Sequence, residues 1–313
     1  MFSYRAFHLN VTSEIDLPAV TPTDIIPTLP EATIRRGAVP ERLEIGSDSG
    51  AWFQVAPYRI LLTIENIARY LIADGCAITV DPFPDADPEM VRLFLLGSAM
   101  GALLYQRGLL PLHGSAIETP LGAMIFVGPQ GIGKSTLAAH FQQRGYRILS
   151  DDVCALSIGV TGRLQALPAF PKLRLCPDAL DGLGKSGAHL RPARFDGDKF
   201  IFPVANGCCT DHPVRLASIH LLSASADSRI TIEPFHGFGR IEQLLVNLYR
   251  PEYLHGLASE GNVMRLALRV AQEALLVRVA HDRNPNRIEE LIDTLEREWR
   301  QNQIFLAERQ THG

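Results

Sequence analysis

The sequence lacks several features that would assign it to a specialised class of protein. Its longest apolar stretch, residues 93–105, is too short to span a membrane. The first 18 residues contain no basic segment followed by an apolar run, which predicts no signal peptide and a cytoplasmic location. The formal net charge of −4 argues against general binding to nucleic acid or to a membrane surface.

Metal-binding and disulfide patterns are also missing. The five cysteines, Cys76, Cys154, Cys176, Cys208 and Cys209, show no C-x-x-C spacing. The adjacent pair Cys208 and Cys209 suits neither a shared zinc site nor a simple disulfide framework. No internal repeat and no coiled-coil heptads are present. We therefore predict reduced thiols and no structural metal.

What the sequence does contain is enough apolar material for a core. Its 313 residues allow one large domain or two modest ones, and 46% of them are hydrophobic. β-rich runs lie at 59–64 and 68–72, and a turn signal at 73–75, between residues 70–72 and 77–80, predicts a hairpin there. We expect a small β-rich N-terminal domain over residues 1–85, a connector helix over 86–108 and an α/β catalytic domain over 109–313.

The pattern after residue 108 predicts a βαβ-type unit. An apolar strand at 122–127 precedes a glycine-rich loop, a helix at 135–144 and another apolar strand at 146–149. The acids Asp151 and Asp152 follow at the predicted carboxyl end of that last strand. Ligands of such sheets bind beyond the carboxyl ends of strands.

The loop fits the phosphate-binding pattern G-x-x-x-x-G-K-[ST] completely. Its glycines let successive backbone N–H groups point at phosphate oxygens, Lys134 places its charge on the β- and γ-phosphates, and the Ser135 hydroxyl ligates Mg²⁺. The pattern predicts binding of ATP with Mg²⁺, and binding without turnover is the alternative. The predicted nucleotide contacts are Gly128, Pro129, Gln130, Gly131, Ile132, Gly133, Lys134, Ser135 and Thr136.

An acidic pair and a histidine accompany the loop. Either Asp151 or Asp152 is suited to hold Mg²⁺, directly or through water, and the other to accept the proton of an attacking hydroxyl. A solvated strand end or helix cap is the other interpretation of such a pair. His113 lies on the strand predicted at 109–117, where it serves either a structural role or the site.

Three segments together resemble the catalytic domain of HPr kinase/phosphorylase. They are His113-Gly114, residues 128–136 and residues 144–153, in the order that the family shows. The resemblance implies a P-loop fold related to that of phosphoenolpyruvate carboxykinase, a serine hydroxyl as acceptor and an oligomer. It also implies that Asp151 is the general base and Asp152 a metal-binding or orienting acid, with His113 in support.

The chain also departs from this family. The family's second glycine-rich motif is not found after the acidic pair of this chain, and the family's later arginine has no unambiguous counterpart here. Arg174, Arg191, Arg194 and Lys199 are the candidates for closing on the γ-phosphate. The N-terminal part and the segments 170–177 and 198–203 look more like the HPr-kinase-like proteins of peptide biosynthetic clusters. Those include kinases that phosphorylate the C-terminal serine of lasso peptide precursors.

The sequence thus predicts an ATP-dependent serine kinase acting on a peptide or small protein, most specifically a lasso-type precursor. An HPr kinase-type regulatory protein kinase is the first alternative. A small-molecule kinase and a non-catalytic, nucleotide-gated binding protein are the others. We expect no nucleic-acid or membrane partner.

Overall fold

The computed structural model describes residues 1–18, 20, 22–43, 48–170, 172–185, 190–192, 199–204, 207–225, 227, 229–282, 284 and 287–311. Over these residues the protein is a mixed α/β structure with an eight-stranded, a seven-stranded and a three-stranded sheet. None of the helices described has the length and apolarity needed to cross a membrane.

The first sheet contains the N-terminal strands in the order β1-β2-β3-β8-β7-β6-β5-β4. Its strands are β1 Phe2–Ala6, β2 Leu9–Ser13, β3 Glu31–Arg36, β4 Asp48–Ser49, β5 Phe53–Ala56, β6 Arg59–Ile64, β7 Ala68–Ala73 and β8 Ala77–Pro82. The predicted hairpin is confirmed, since β7 and β8 pair antiparallel up to Ala73 opposite Ala77. Residues buried along β7 alternate with half-buried ones, as a strand with one face on a core requires.

The N-terminal sheet shares its hydrophobic core with the rest of the chain. One apolar cluster includes residues of this sheet together with residues of the seven-stranded sheet and its helices. Phe7 illustrates the contact: its ring meets Phe170 edge-on at 5.9 Å, and its N–H donates to the Pro168 carbonyl. The division of the chain into domains at residues 85 and 108 stays a prediction.

The predicted connector helix forms, but with an irregular centre. It consists of α1 Pro88–Phe94, a π-helical segment Leu95–Ala99 and α2 Met100–Gln106. The Asp87 carboxylate caps its start by accepting from the Glu89 N–H, and Pro88 occupies the first turn. The π-helical segment is fully buried. Such segments are frequent at functional sites, and this one lies beside the candidate site described below.

The seven-stranded sheet carries the phosphate loop, in the order β10-β9-β11-β12-β16-β18-β17 with a further pairing of β10 to β16. Its strands are β9 Leu110–Thr119, β10 Gly122–Val127, β11 Arg147–Ile158, β12 Leu164–Ala166, β16 Val214–Ala224, β17 Thr231–Pro234 and β18 Leu275–His281. β10, β16 and β18 are mutually parallel, whereas β9 is antiparallel to both β10 and β11.

One feature of the predicted βαβ-type unit is wrong. The second strand does not end at residue 149, because β11 continues to Ile158 and holds Asp151 and Asp152 near its middle. β10 and β11 are both antiparallel to β9, which lies between them, so the two strands of the unit run parallel. β11 continues through the two acids because their carboxylates find hydrogen-bond donors, which offsets the cost of burying charge. The four residues that follow the acids, Val153–Leu156, are apolar and buried.

The remaining elements surround the loop. The three-stranded sheet has the order β13-β15-β14, and its strands are β13 Lys172–Leu175, β14 Arg191–Pro192 and β15 Phe200–Pro203. The helices are α3 Lys134–Gln143, α4 Pro177–Gly182, α5 Gly239–Val246, α6 Glu260–Glu273 and α7 Ile288–Thr311. α7 packs on α3 through Trp299 and Phe141, whose rings stack at 5.0 Å. This second core fixes the helix that follows the phosphate loop.

Candidate active site

The phosphate loop connects β10 to α3 in a conformation that requires glycine. Gly128 has a φ of 137°, and a Cβ there would lie 2.5 Å from the Leu222 carbonyl oxygen on β16. α3 begins at Lys134, with Gly133 at its N-cap and no side chain capping its first turn. The first-turn N–H groups and the positive helix end therefore form an anion site above the sheet.

Lys134 is folded into this site. Its Nζ donates to the carbonyls of Gly128 at 2.8 Å and Pro129 at 3.1 Å. Burial lowers the pKa of Lys134 and Asp151 opposes that shift, while the nearby Lys199 lowers it further. A triphosphate would replace the carbonyl contacts with charged oxygens, which favour the protonated amine more strongly.

Asp151 is surrounded by donors. Its Oδ1 accepts from the Ser115 hydroxyl at 2.5 Å and from the Ser135 hydroxyl at 2.8 Å. Its Oδ2 accepts from the backbone N–H of Arg174 at 2.8 Å. The carboxylate is thus buried, oriented and placed directly against the loop serine that the sequence predicts as a Mg²⁺ ligand.

Asp152 points to the other side of β11. Its φ of 74° is left-handed, a conformation that Asp tolerates better than most residues. Its Oδ2 accepts from Arg174 Nη2 at 2.6 Å, and its Oδ1 lies 3.6 Å from His113 Nδ1. The two acids are adjacent in sequence, yet they serve different parts of the site.

His113 lies on β9, opposite Val153 of β11. Its Nδ1 lies 3.2 Å from the Asp152 carbonyl oxygen. Because a carbonyl only accepts, Nδ1 must carry the proton, and the neutral ring then has an acceptor at Nε2. Desolvation lowers the pKa of His113 and the Asp152 charge opposes that shift.

Of the four predicted γ-phosphate contacts, two lie in the site. Arg174 contacts both acids, and Lys199, just before β15, lines the same cavities. Arg191 lies on β14, and the structure describes its backbone alone. Arg194 lies outside the described residues.

Tyr249 also lies at this site and was not predicted from the sequence. Tyr249 is buried, its ring lies 6.1 Å from that of His113, and its N–H donates to the Pro111 carbonyl on β9. Two glycines of the connector helix make room for it. A Cβ on Gly101 would lie 2.8 Å from ring carbons of Tyr249, and one on Gly97 would lie 3.0 Å from its hydroxyl oxygen. No local motif marks Tyr249, and the glycine spacing in the connector helix was the available signal.

Lys172 was also missed. It lies two residues before Arg174 on β13, so the two side chains project to the same face of the strand. Burial lowers the pKa of Lys172 to about 8; Arg174 lowers it as well, and both acids oppose the shift. The alternation of Lys172 with Arg174 could have revealed this cation.

Two connected cavities meet beside Asp152 and Arg174. The smaller, about 90 Å³, lies between the loop and Asp151, and the larger, about 640 Å³, extends past Asp152 to the end of α5. His113, Gln130, Asp152, Arg174 and Lys199 line both. With Lys134 of the smaller cavity added, the basic side chains that line these cavities outnumber the two acids, which is the charge balance that a polyphosphate needs.

The oxygen ligands near the loop suit Mg²⁺. Among the described residues, no three His, Cys, Asp or Glu side chains form a metal cluster. Mg²⁺ commonly uses one or two carboxylates, substrate phosphates and water instead. Ser135 and Asp151, already 2.8 Å apart, supply a hydroxyl and a carboxylate for that arrangement.

The two acids differ in their surroundings. Asp151 accepts from the Ser135 hydroxyl and borders only the smaller cavity. Asp152 borders both cavities, beside His113. The assignment of the general base to Asp151 stays a prediction, whereas the carboxylate that faces the larger cavity is that of Asp152.

This chain matches no protein-family model, and no curated protein matches it. Among solved structures, it is similar to the HPr(Ser) kinase/phosphatase from Coxiella burnetii, with 14% identity over 65% of this chain and 98% of that chain. The TM-score is 0.38, and at that similarity neither fold nor activity is transferred from the neighbour.

Proposed function

We propose that the protein is an ATP-dependent kinase of the HPr kinase-like P-loop type, which transfers the γ-phosphoryl group to a serine hydroxyl. The observation that carries the proposal is the 2.8 Å contact between Ser135 of a complete phosphate loop and Asp151, with Asp152 at the junction of two cavities. A loop that only held nucleotide would not need a second acid facing a separate cavity.

In the proposed reaction, the acceptor oxygen attacks the γ-phosphorus in line as the bond to the β-γ bridging oxygen breaks. Asp152 takes the hydroxyl proton, and ADP leaves with the electron pair of the broken bond. Lys134 and Arg174 stabilise the charge that develops on the phosphoryl oxygens. Bound Mg²⁺, held by Ser135 and Asp151, would neutralise β- and γ-phosphate charge.

The acceptor that we propose is a serine of a peptide or small protein. The larger cavity, about 640 Å³, lies within the size range of cavities that bind organic ligands, and it opens toward the exposed Val246 on α5. The C-terminal serine of a lasso-type precursor is the specific acceptor that follows from the resemblance of the sequence. An HPr-type protein is the alternative acceptor.

The test uses ATP labelled at the γ-phosphate with four kinds of acceptor. These are peptides ending in serine, the same peptides ending in alanine, an HPr protein and a panel of hydroxyl metabolites. Label on the serine-ended peptides alone is the expected result. Label on metabolites alone would replace the proposal with a small-molecule kinase, and no label on any acceptor would contradict kinase activity.

The roles of the acids are tested separately. Asp152→Asn should retain Mg²⁺-dependent ATP binding and lose about 10²–10⁴-fold in transfer rate, the usual contribution of a general base. Asp151→Asn should weaken the dependence of ATP binding on Mg²⁺. The reverse pattern would restore the roles predicted from the sequence.

A further inference from the structure

A further cavity borders the phosphate loop away from the acidic pair, since neither Asp151 nor Asp152 lines it. It has a volume of about 460 Å³, and Gly131, Gly133 and Thr136 of the loop belong to its wall. The same three residues also border the small cavity next to Asp151. The two spaces are therefore joined along the loop, and a ligand seated in the loop can occupy both.

The chemistry of the loop gives a bound triphosphate a direction. Lys134 acts on the β- and γ-phosphates, and the acids that serve the transfer lie on the β11 side. The γ-phosphate therefore points toward Asp152. The α-phosphate, with the nucleoside attached to it, must leave on the side of Thr136.

The topology of the seven-stranded sheet also places a bound ligand at this cavity. β10, β16 and β18 are parallel, so their carboxyl ends meet at one edge of the sheet, where ligands of such sheets bind. The cavity lies at this edge and includes Leu222 near the end of β16 and His281 at the end of β18. The acids lie on β11, on the far side of β9.

The side chains around the cavity suit a planar, uncharged base. Leu137 of α3, Ile230 before β17 and Ile288 of α7 give it apolar walls, and Gln143 and His140 add polar atoms. Several of the charged groups at this cavity lie in ion pairs: His140 Nδ1 lies 3.1 Å from a Glu289 oxygen. Arg287 contacts Asp282 at 2.7 Å and Glu290 at 2.8 Å. Arg287 is the one lysine or arginine among the described residues that line it, whereas the cavities beside the acidic pair carry an excess of basic side chains.

We propose that this cavity binds the nucleoside half of the nucleoside triphosphate, with the base against Ile230 and Ile288. The inference rests on the proposed function, since it takes the triphosphate to lie in the loop. It adds a separate binding site, at the junction of α3, α7 and the ends of β16 and β18.

The experiment compares Mg²⁺-ATP with Mg²⁺-tripolyphosphate, which has the phosphates but no nucleoside, by calorimetric titration. Ile230→Trp should fill the cavity and weaken ATP binding at least about tenfold, or 1.4 kcal/mol, with tripolyphosphate affinity unchanged. Ile288→Ala, on the opposite wall, should weaken ATP binding less and again spare tripolyphosphate. Leu268→Trp, an aliphatic-to-Trp change on the exposed face of α6, is the matched control and should alter neither affinity.

The outcomes distinguish this inference from the proposed function. If the wild type binds both ligands and neither cavity variant changes the ratio of their affinities, the nucleoside is elsewhere. Equal losses of both affinities in Ile230→Trp and Ile288→Ala would also overturn the assignment. A wild type that binds neither ligand would overturn the proposed function, and the nucleoside site with it.

Discussion

The two sides of the phosphate loop use charge in different ways. On the acid side, Arg174 donates to both carboxylates, and burial lowers the pKa values of Lys134 and Lys172, which lie near enough to the two acids for these to oppose that lowering. On the α3–α7 side, the charged groups pair with one another, as Arg144 does with acids of α7. The acid side thus holds positive charge at a cost in stability and is suited to phosphate chemistry. The other side supports the fold.

Among the variants that compare the two sides of the loop, Lys134→Ala should have the largest effect. Removing the amine takes away the charge nearest the β- and γ-phosphates, and we expect the transfer rate to fall about 10²–10³-fold, or roughly 3–4 kcal/mol of transition-state stabilisation. Steady-state kinetics with labelled ATP measures this loss. An active Lys134→Ala enzyme would show that the acid side does not act on the phosphates.

Lys172→Met should stabilise the folded protein at neutral pH by up to about 3 kcal/mol, because the buried amine has a pKa of about 8 when folded and 10.5 in a solvated lysine. Between these values the unfolded chain binds a proton that the folded protein lacks, so the wild-type unfolding free energy rises with pH. The gain from the substitution should therefore shrink between pH 8 and 10.5.

Urea unfolding at several pH values from 7 to 10.5 measures this difference. Lys185→Met changes an exposed lysine and is the matched control, with an expected effect within about 0.5 kcal/mol. A Lys172→Met protein that is less stable than the wild type at pH 7 would contradict the view that the buried charge of Lys172 lowers the free energy of unfolding.

Gly101→Ala should destabilise the protein by about 1–3 kcal/mol, because the new methyl would lie 2.8 Å from the packed ring of Tyr249. The gain of about 1 kcal/mol in helix propensity offsets part of this loss. Displacement of Tyr249 should also lower the transfer rate. Thermal unfolding and kinetics on the same sample would distinguish the loss of stability from the loss of rate.

Gly261→Ala on α6 is the control for helix propensity. Its methyl would meet Arg265 at 3.6 Å, an ordinary contact, so this variant should be as stable as the wild type or more so. Similar stability changes in the two glycine variants would show that Tyr249 does not depend on the connector helix.

Arg144→Ala should have the smallest effect. Arg144 contacts Glu289 at 2.5 Å and Asp293 at 2.7 Å, both more than half exposed, and the more buried Glu296 at the longer distance of 3.3 Å. Exposed ion pairs contribute about 0–1 kcal/mol and weaken with salt. We expect a loss within that range in chemical unfolding, absent in high salt, and no change in transfer rate at saturating ATP. A large loss of transfer rate in Arg144→Ala would contradict the conclusion that the α3–α7 side supports the fold and not the transfer step.

Much of the candidate site was predictable because its chemistry is local in sequence. A phosphate loop needs glycines, lysine and serine at fixed spacing on one turn, so residues 128–136 could be recognised without neighbours. β10 and α3 have the predicted positions within one residue, because a short apolar run and a helix after glycine are strong local patterns.

What could not be predicted depends on contacts between distant residues. The length of β11 was misjudged because two adjacent acids are typical of a strand end. Here Ser115 and Arg174, 36 and 23 residues from Asp151, donate to its carboxylate and make burial tolerable. The same distance effect hid Tyr249, which reaches the site only because α2 offers it a glycine-lined surface.

The linear chain was sufficient to predict that phosphates are held at residues 128–136 and that acids follow, since those requirements lie within a few turns of backbone. Three-dimensional packing was required to show which acid meets the Ser135 hydroxyl and which faces the larger cavity. Two neighbouring carboxylates point in different directions because the backbone at Asp152 is left-handed and because β11 pairs with β9 in a fixed register. Sequence spacing alone carries no information about such directions, because they are set by strand register and by partners far along the chain.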